Sequence, residues 1–75
     1  GINNLILNTM KTYDVHFDDS GNSNNKGFAE TIDFCKSYIA GNNGTNESYF
    51  KDYKGGMVSI VCNETGEVVI QEVIQ

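Results

Sequence analysis

Apolar and polar positions are most strongly ordered between residues 56 and 74, where GMVSIVCN and EVVIQEVI flank the tripeptide ETG. Both runs are rich in Val and Ile and contain no Pro, which predicts two β-strands. Asn63-Glu64-Thr65-Gly66 suits a type I turn followed by glycine in the left-handed region, which predicts a three-residue hairpin loop. This register opposes Cys62 to Val68, Ile60 to Ile70 and Val58 to Glu72, and places Ile74 on the same face. Met57, Ser59, Val61, Val69, Gln71 and Val73 fall on the other face. A hairpin with one wet side alternates apolar and polar residues. Here the first face is apolar and the second is mixed, so one face should meet a helix and part of the other needs cover as well.

Residues 11–18, KTYDVHFD, alternate with period two. Tyr13, Val15 and Phe17 share one side, and Thr12, Asp14, His16 and Asp18 the other, which predicts a half-buried strand. Residues 18–27, DDSGNSNNKG, hold only turn-forming and polar types and predict a mobile loop. Across 28–40, Phe28, Ile32, Cys35 and Ile39 recur at i, i+4, i+7 and i+11, flanked by Phe34 and Tyr38, as one amphipathic helix requires. Gly27 is the expected N-cap and Glu30 the N3 residue. Asp33 lies near the positive end of the helix dipole, and Gly41-Asn42 is the expected stop. A second loop over 42–48 leads to Tyr49, Phe50 and Tyr53, which should cap a core edge within one helical turn.

The order is therefore β-α-β-β, an α+β fold with one helix on a mainly antiparallel three-stranded sheet. With the last strand between the other two, every pairing is antiparallel and the crossover right-handed. Residues 1–9, with Ile2, Leu5, Ile6 and Leu7, fit an extra N-terminal strand or a helical turn equally well. This arm is a candidate cover for the second face of the hairpin, in its own subunit or a neighbour.

A chain of 75 residues predicts a single domain, 1–75, with 1–9 as its arm. A domain this small buries only about 60% of its unfolded surface, so its core is thin. Unprotected sheet edges and a partly apolar face invite self-association, and a two-fold dimer is the simplest remedy. The candidate interface residues are Met57, Val61, Val69 and Val73, with Leu5 and Leu7 from the arm. A protein partner is the other occupant considered.

Charge narrows the partners. The net charge is −5, from ten acidic residues against five lysines and no arginine. Arginine is the preferred residue for bidentate contact with phosphate and guanine, so generic nucleic-acid binding is disfavoured. One local exception is Lys51 and Lys54 among Tyr49, Phe50 and Tyr53, the composition of a single-strand stacking platform. The acidity favours solubility. No run reaches the roughly 18 apolar residues of a membrane span. With no intact signal peptide visible, a cytoplasmic location is expected, a processed secreted form being the alternative. Gly1 in place of Met fits a processed form or the remnant of a tag, and Met10-Lys11 is an alternative natural start.

Candidate chemistry is sparse. Asp14, His16 and Asp18 share one strand face and are weak candidates for a divalent metal, though a single His with carboxylates makes a poor zinc site. Counted from Asp18, the loop lacks the EF-hand glycine and final acidic residue. Counted from Asp19, Glu30 takes the final acidic position, but Gly21 and Ser23 fall on ligand positions and Asn24 on the glycine position, so no calcium site is expected. Cys35 and Cys62 both fall on core-facing positions, where free cysteine serves as a small hydrophobe. A disulfide between them is the alternative reading. A Cys–His catalytic pair would need His16, which lies on the sheet face away from the helix. Three Asn-x-Ser/Thr triplets, at Asn43, Asn46 and Asn63, are expected by chance among ten Asn residues. Lys54-Gly55-Gly56 lacks P-loop spacing, and no nucleophile elbow is present. The sequence thus predicts no cofactor and no enzymatic activity, and favours a small self-associating interaction module.

Overall fold

The computed structural model describes residues 11–75. The arm at 1–9, with Leu5 and Leu7, lies outside the described residues. The elements are β1 (Tyr13–Asp18), β2 (Ser23–Glu30), α1 (Ile32–Asn42), α2 (Ser48–Asp52), β3 (Met57–Cys62) and β4 (Val68–Val73). The four strands form one antiparallel sheet in the order β2-β1-β3-β4. α1 and α2 cover one face of it. The α+β class with a helix on a mainly antiparallel sheet is therefore the architecture found.

The core follows from alternation. In β1, Val15 and Phe17 are fully buried; in β3, Val58 and Ile60 are too. The ladder sets Val15 opposite Ile60 and Phe17 opposite Val58, so four apolar side chains share one face. Cys35 and Ile39 from α1, Phe50 from α2 and Ile74 beyond β4 close over them. The Phe17 ring is the hub of an aromatic cluster, with Tyr49, Phe50 and Tyr53 at 5.1, 5.0 and 5.8 Å between centroids. Aromatic pairs at such distances contribute about 0.5–1.5 kcal/mol each beyond burial.

Three expectations are corrected. The expected loop at 18–27 supplies a strand instead: only a tight turn at Asp19–Asn22 separates β1 from β2. Asp19 N donates to Asn22 O at 2.9 Å, while the Asp19 carboxylate accepts from the Gly21 and Asn22 amides. The sequence SNNKGFAE has weak strand propensity, and the pairing demand of β1 overrides it. The extra strand also reverses the chain, so β3 runs antiparallel to β1 and pairs with it directly. β4, expected between them, lies at the edge.

The helix consequently starts later. Phe28 belongs to β2, and the N-cap is Thr31, whose Oγ1 accepts from Phe34 N at 3.1 Å, in place of Gly27. Asp33 remains in the first turn, and the helix runs through Gly41 to a cap at Asn43. Phe28 still packs on the helix, 5.3 Å from Phe34 and 4.9 Å from Tyr38. Glu47 caps α2 by accepting from the Tyr49 and Phe50 amides, and takes the Tyr38 hydroxyl at 3.0 Å. That one carboxylate ties the two helices together.

The third correction concerns the hairpin. Ile60 faces Ile70 and Val58 faces Glu72 as the sequence predicts, but Val68 faces Val61 rather than Cys62. Gly66 N donates to Cys62 O at 2.8 Å and Cys62 N to Glu67 O at 2.9 Å, giving a four-residue loop with Gly66 at φ +75°. The longer loop shifts the register by one, and a bulge at Val69 restores it before Ile70. Val68 is thereby moved off the helix-covered face, and 55% of it is exposed.

Gly56 marks the tightest backbone approach. A Cβ placed there would lie 2.2 Å from Asp18 O, against the end of the neighbouring strand. A backbone oxygen cannot yield as a flexible side chain can. Gly56→Ala is expected to cost about 3 kcal/mol, the upper part of the usual overpacking range. Urea denaturation checks this; an unchanged midpoint would show that the β1–β3 junction is looser than described.

Candidate functional site

The sheet face opposite the helices is built in rows by the strand register. One row runs Ser23, Asp18, Met57, Val73. The next runs Asn25, His16, Ser59, Gln71. The third joins Asp14 to Val61 and Val68, with the bulged Val69 beside them. The face is therefore acidic along β1 and apolar along β3 and β4. A polar band crosses its middle, where Gln71 Nε2 donates to Ser59 Oγ at 3.1 Å. Val68, Val69 and Val73 are 55%, 42% and 56% exposed, against half-buried Met57 and Val61. Of the interface residues expected from sequence, Met57, Val61, Val69 and Val73 thus lie together on one surface. Leu5 and Leu7 are not among the described residues.

The same face shows what Asp14 does. One residue of β1, Asp14, stands against three of β2, residues 27–29, so the ladder bulges there. The bulge forces Ala29 to φ +51°, a conformation that costs a non-glycine residue about 1–2 kcal/mol. Asp14 Oδ1 accepts from Ala29 N at 2.9 Å and from Asn63 Nδ2 at 3.1 Å; Oδ2 accepts from Asn25 Nδ2 at 3.1 Å. Partial burial pushes this carboxyl up, but the bonds from Asn25, Ala29 and Asn63 outweigh it and hold the pKa below 3.8. Asp14 is thus the clasp of the bulge. His16 and Asp18 share its face as expected. Among the described residues, no three His, Cys, Asp or Glu side chains converge to hold an ion.

Cys35 and Cys62 are both buried and both free, so the disulfide reading is not realised. Burial first, then the charges of Asp14 and Glu30, push the Cys35 thiol up, and Sγ approaches Tyr13 O at 3.6 Å. A thiol held in its neutral form is a poor nucleophile. Cys62 lies beneath the hairpin loop. A hydrogen bond with the Thr65 side chain lowers its pKa against the opposing effect of burial, and Sγ lies 3.8 Å from Glu64 Oε1. His16 lies on the other side of the sheet from both.

On the helix side, Lys51 and Lys54 are exposed, as expected. Tyr49 and Tyr53, however, are half-buried against Phe17. They also line a cleft of about 420 Å³ with Asp19, Asn22, Ser23, Asn24, Ser48 and Asp52. Carboxylates beside the two rings oppose a phosphate backbone. The lysine that does engage aromatic rings is Lys26, which sequence reasoning assigned to a loop. Its Nζ lies 4.3 Å from the Tyr49 ring centroid, 5.6 Å from Phe28 and 5.8 Å from Tyr38. The signal is its register opposite Val15, legible only once residues 23–30 are known to be a strand. Burial, then the bond to Glu47, pushes the Tyr38 hydroxyl far above its ordinary value, so it acts as a donor. No helix among the described residues is long and apolar enough to cross a membrane.

No known family, curated protein or solved structure matches the chain.

The bonds on Asp14 generate a pH prediction. Its folded pKa is depressed, so its contribution is fully present above the unfolded value near 3.8 and is lost as pH falls through the folded pKa. Asp14→Asn should cost about 1 kcal/mol at neutral pH. It should also flatten the acid limb of a plot of unfolding midpoint against pH. Parallel acid limbs for the two proteins would show that Asp14 does not clasp the bulge.

Proposed function

We propose that this protein is a small non-enzymatic interaction module that associates with a second copy of itself through the face formed by β3 and β4. The observation that carries this reading is the exposure of Val68, Val69 and Val73 beside Met57 and Val61. Fully burying a valine-sized side chain contributes about 1.5–3 kcal/mol, so such a cluster stores a driving force for association.

The layout is self-complementary. A two-fold axis through the Ser59–Gln71 band would lay the Met57–Val73 end of one copy onto the Val61–Val68–Val69 end of the other. That is the isologous geometry of most dimers. The two polar bands would meet at the centre, and the acidic β1 strands would face each other at the solvated rim, where their charges are screened.

Association through the face is preferred to pairing along the β4 edge. Asn43 Nδ2 donates to Val73 O at 3.0 Å and to Glu72 Oε1 at 3.1 Å, and its Oδ1 accepts from Gln75 N at 2.8 Å. Ile74 N and O bond inward to Gly56 and Gly55, so strand alternation turns the Val73 carbonyl outward. Asn43 therefore blunts that end of the edge, as folds with exposed edges require.

Sedimentation equilibrium tests the reading. The full chain should show a concentration-dependent dimer, and Val73→Lys should remove it while leaving the unfolding midpoint nearly unchanged. Lys51→Glu, on the opposite side, should leave the dimer intact. A strict monomer at high concentration overturns the proposal. So does a monomeric full chain that dimerises once residues 1–10 are deleted, because the chain itself would then cover the face.

A further inference from the structure

The cleft between the β1–β2 turn and α2 is independent of the dimer surface and lies on the helix side of the sheet. Its walls come from segments far apart in sequence, residues 19–24 and 48–53. Tyr49 and Tyr53 are held in place by the buried Phe17 ring, so their rings reach the cleft pre-positioned. The cleft encloses about 420 Å³, within the usual range for small-ligand sites.

The chemistry of the lining is one-sided. It carries two carboxylates, Asp19 and Asp52, one from each wall, and no lysine or histidine. The remaining groups are two phenols, two Asn and two Ser. Asp19 Oδ1 accepts from the Gly21 and Asn22 amides, which fixes the carboxylate in place. Aromatic faces beside carboxylates, with neutral acceptors around them, match a flat organic cation. Guanidinium fits better than ammonium: its plane stacks on aromatic rings while its forked donors meet carboxylate oxygens, and it is the more weakly hydrated of the two. The chain's net charge of −5 adds a long-range attraction for cations. Lys26 Nζ, 4.3 Å from the Tyr49 ring but outside the cleft lining, is a positive charge that the two carboxylates outnumber.

We propose that this cleft binds the guanidinium group of a peptide arginine side chain, between the carboxylates of Asp19 and Asp52 and against the rings of Tyr49 and Tyr53. Because the cleft is open to solvent, each ion pair is screened and each carboxylate contributes modestly.

The test is titration of the isotopically labelled full chain with N-acetyl-arginine-methylamide, followed by amide chemical shifts. The uncharged isostere N-acetyl-citrulline-methylamide is the control. Saturable shifts should be confined to residues 19–24 and 48–53, and binding should weaken as salt rises. Asp52→Asn should bind about threefold more weakly, and the Asp19→Asn, Asp52→Asn double variant about tenfold, in keeping with exposed charge pairs. Both substitutions keep the side-chain shape, and Asn at 19 still offers an oxygen to the turn amides, so the unfolding midpoint should hold. Equal binding of citrulline, unchanged affinity in the double variant, or shifts that never saturate would each overturn the proposal.

Discussion

The pairing of β1 with β3 is the interaction on which the rest of this structure depends. Val15 against Ile60 and Phe17 against Val58 place four fully buried side chains on one sheet face. Their burial fixes where α1 lies, because Cys35 and Ile39 are buried in the same cluster. It also fixes α2, because Phe17 gathers Tyr49, Phe50 and Tyr53 around its ring. The remaining strands are attached to this pair rather than building it. β4 adds Ile70, and Ile74 just beyond its end. β2 contributes mainly polar side chains and owes its place to the open edge of β1 and to the Asp14 clasp.

The legible parts of the fold were those set by side-chain periodicity. Alternation in Tyr13-Asp14-Val15-His16-Phe17 gave β1 and its buried side, and the helical spacing of Ile32, Cys35 and Ile39 gave the inner face of α1. In β4 the expected face is found at Ile70 and Ile74 and is lost at Val68. The loop at Asn63–Gly66 is one residue longer than its composition suggests, and the bulge at Val69 compensates. β2 escaped detection because its stability is tertiary. SNNKGFAE has no propensity to announce a strand, and the contacts that hold it come from Asp14 and from backbone bonding to β1. Missing β2 reversed the direction of every later strand, which moved β4 from the centre of the sheet to its edge. The acidic cleft was hidden for the same reason: Asp19 and Asp52 meet only after the chain has doubled back through β2.

Among the described residues, one sheet face has no layer of its own. Here that face is graded, acidic along β1 and apolar along β3 and β4. The exposed valines of that face are what the proposed dimer would bury. The cleft on the helix side is of a different kind, a concave polar site with rings braced by the core. Because the two surfaces lie on opposite sides of the sheet, a dimer formed through one leaves the other open. The proposed dimer would present two such clefts, and joining two weak sites raises the effective strength of binding to a repeated ligand.

Isotope-filtered nuclear Overhauser spectroscopy on an equal mixture of labelled and unlabelled chains tests the central claim most directly. The account predicts intermolecular contacts from the Val73 methyls and Met57 to the methyls of Val61, Val68 and Val69, the pattern that a two-fold axis through Ser59 and Gln71 requires. Intermolecular contacts confined to the helix side, or none between these methyl groups at a concentration where sedimentation finds a dimer, would contradict it.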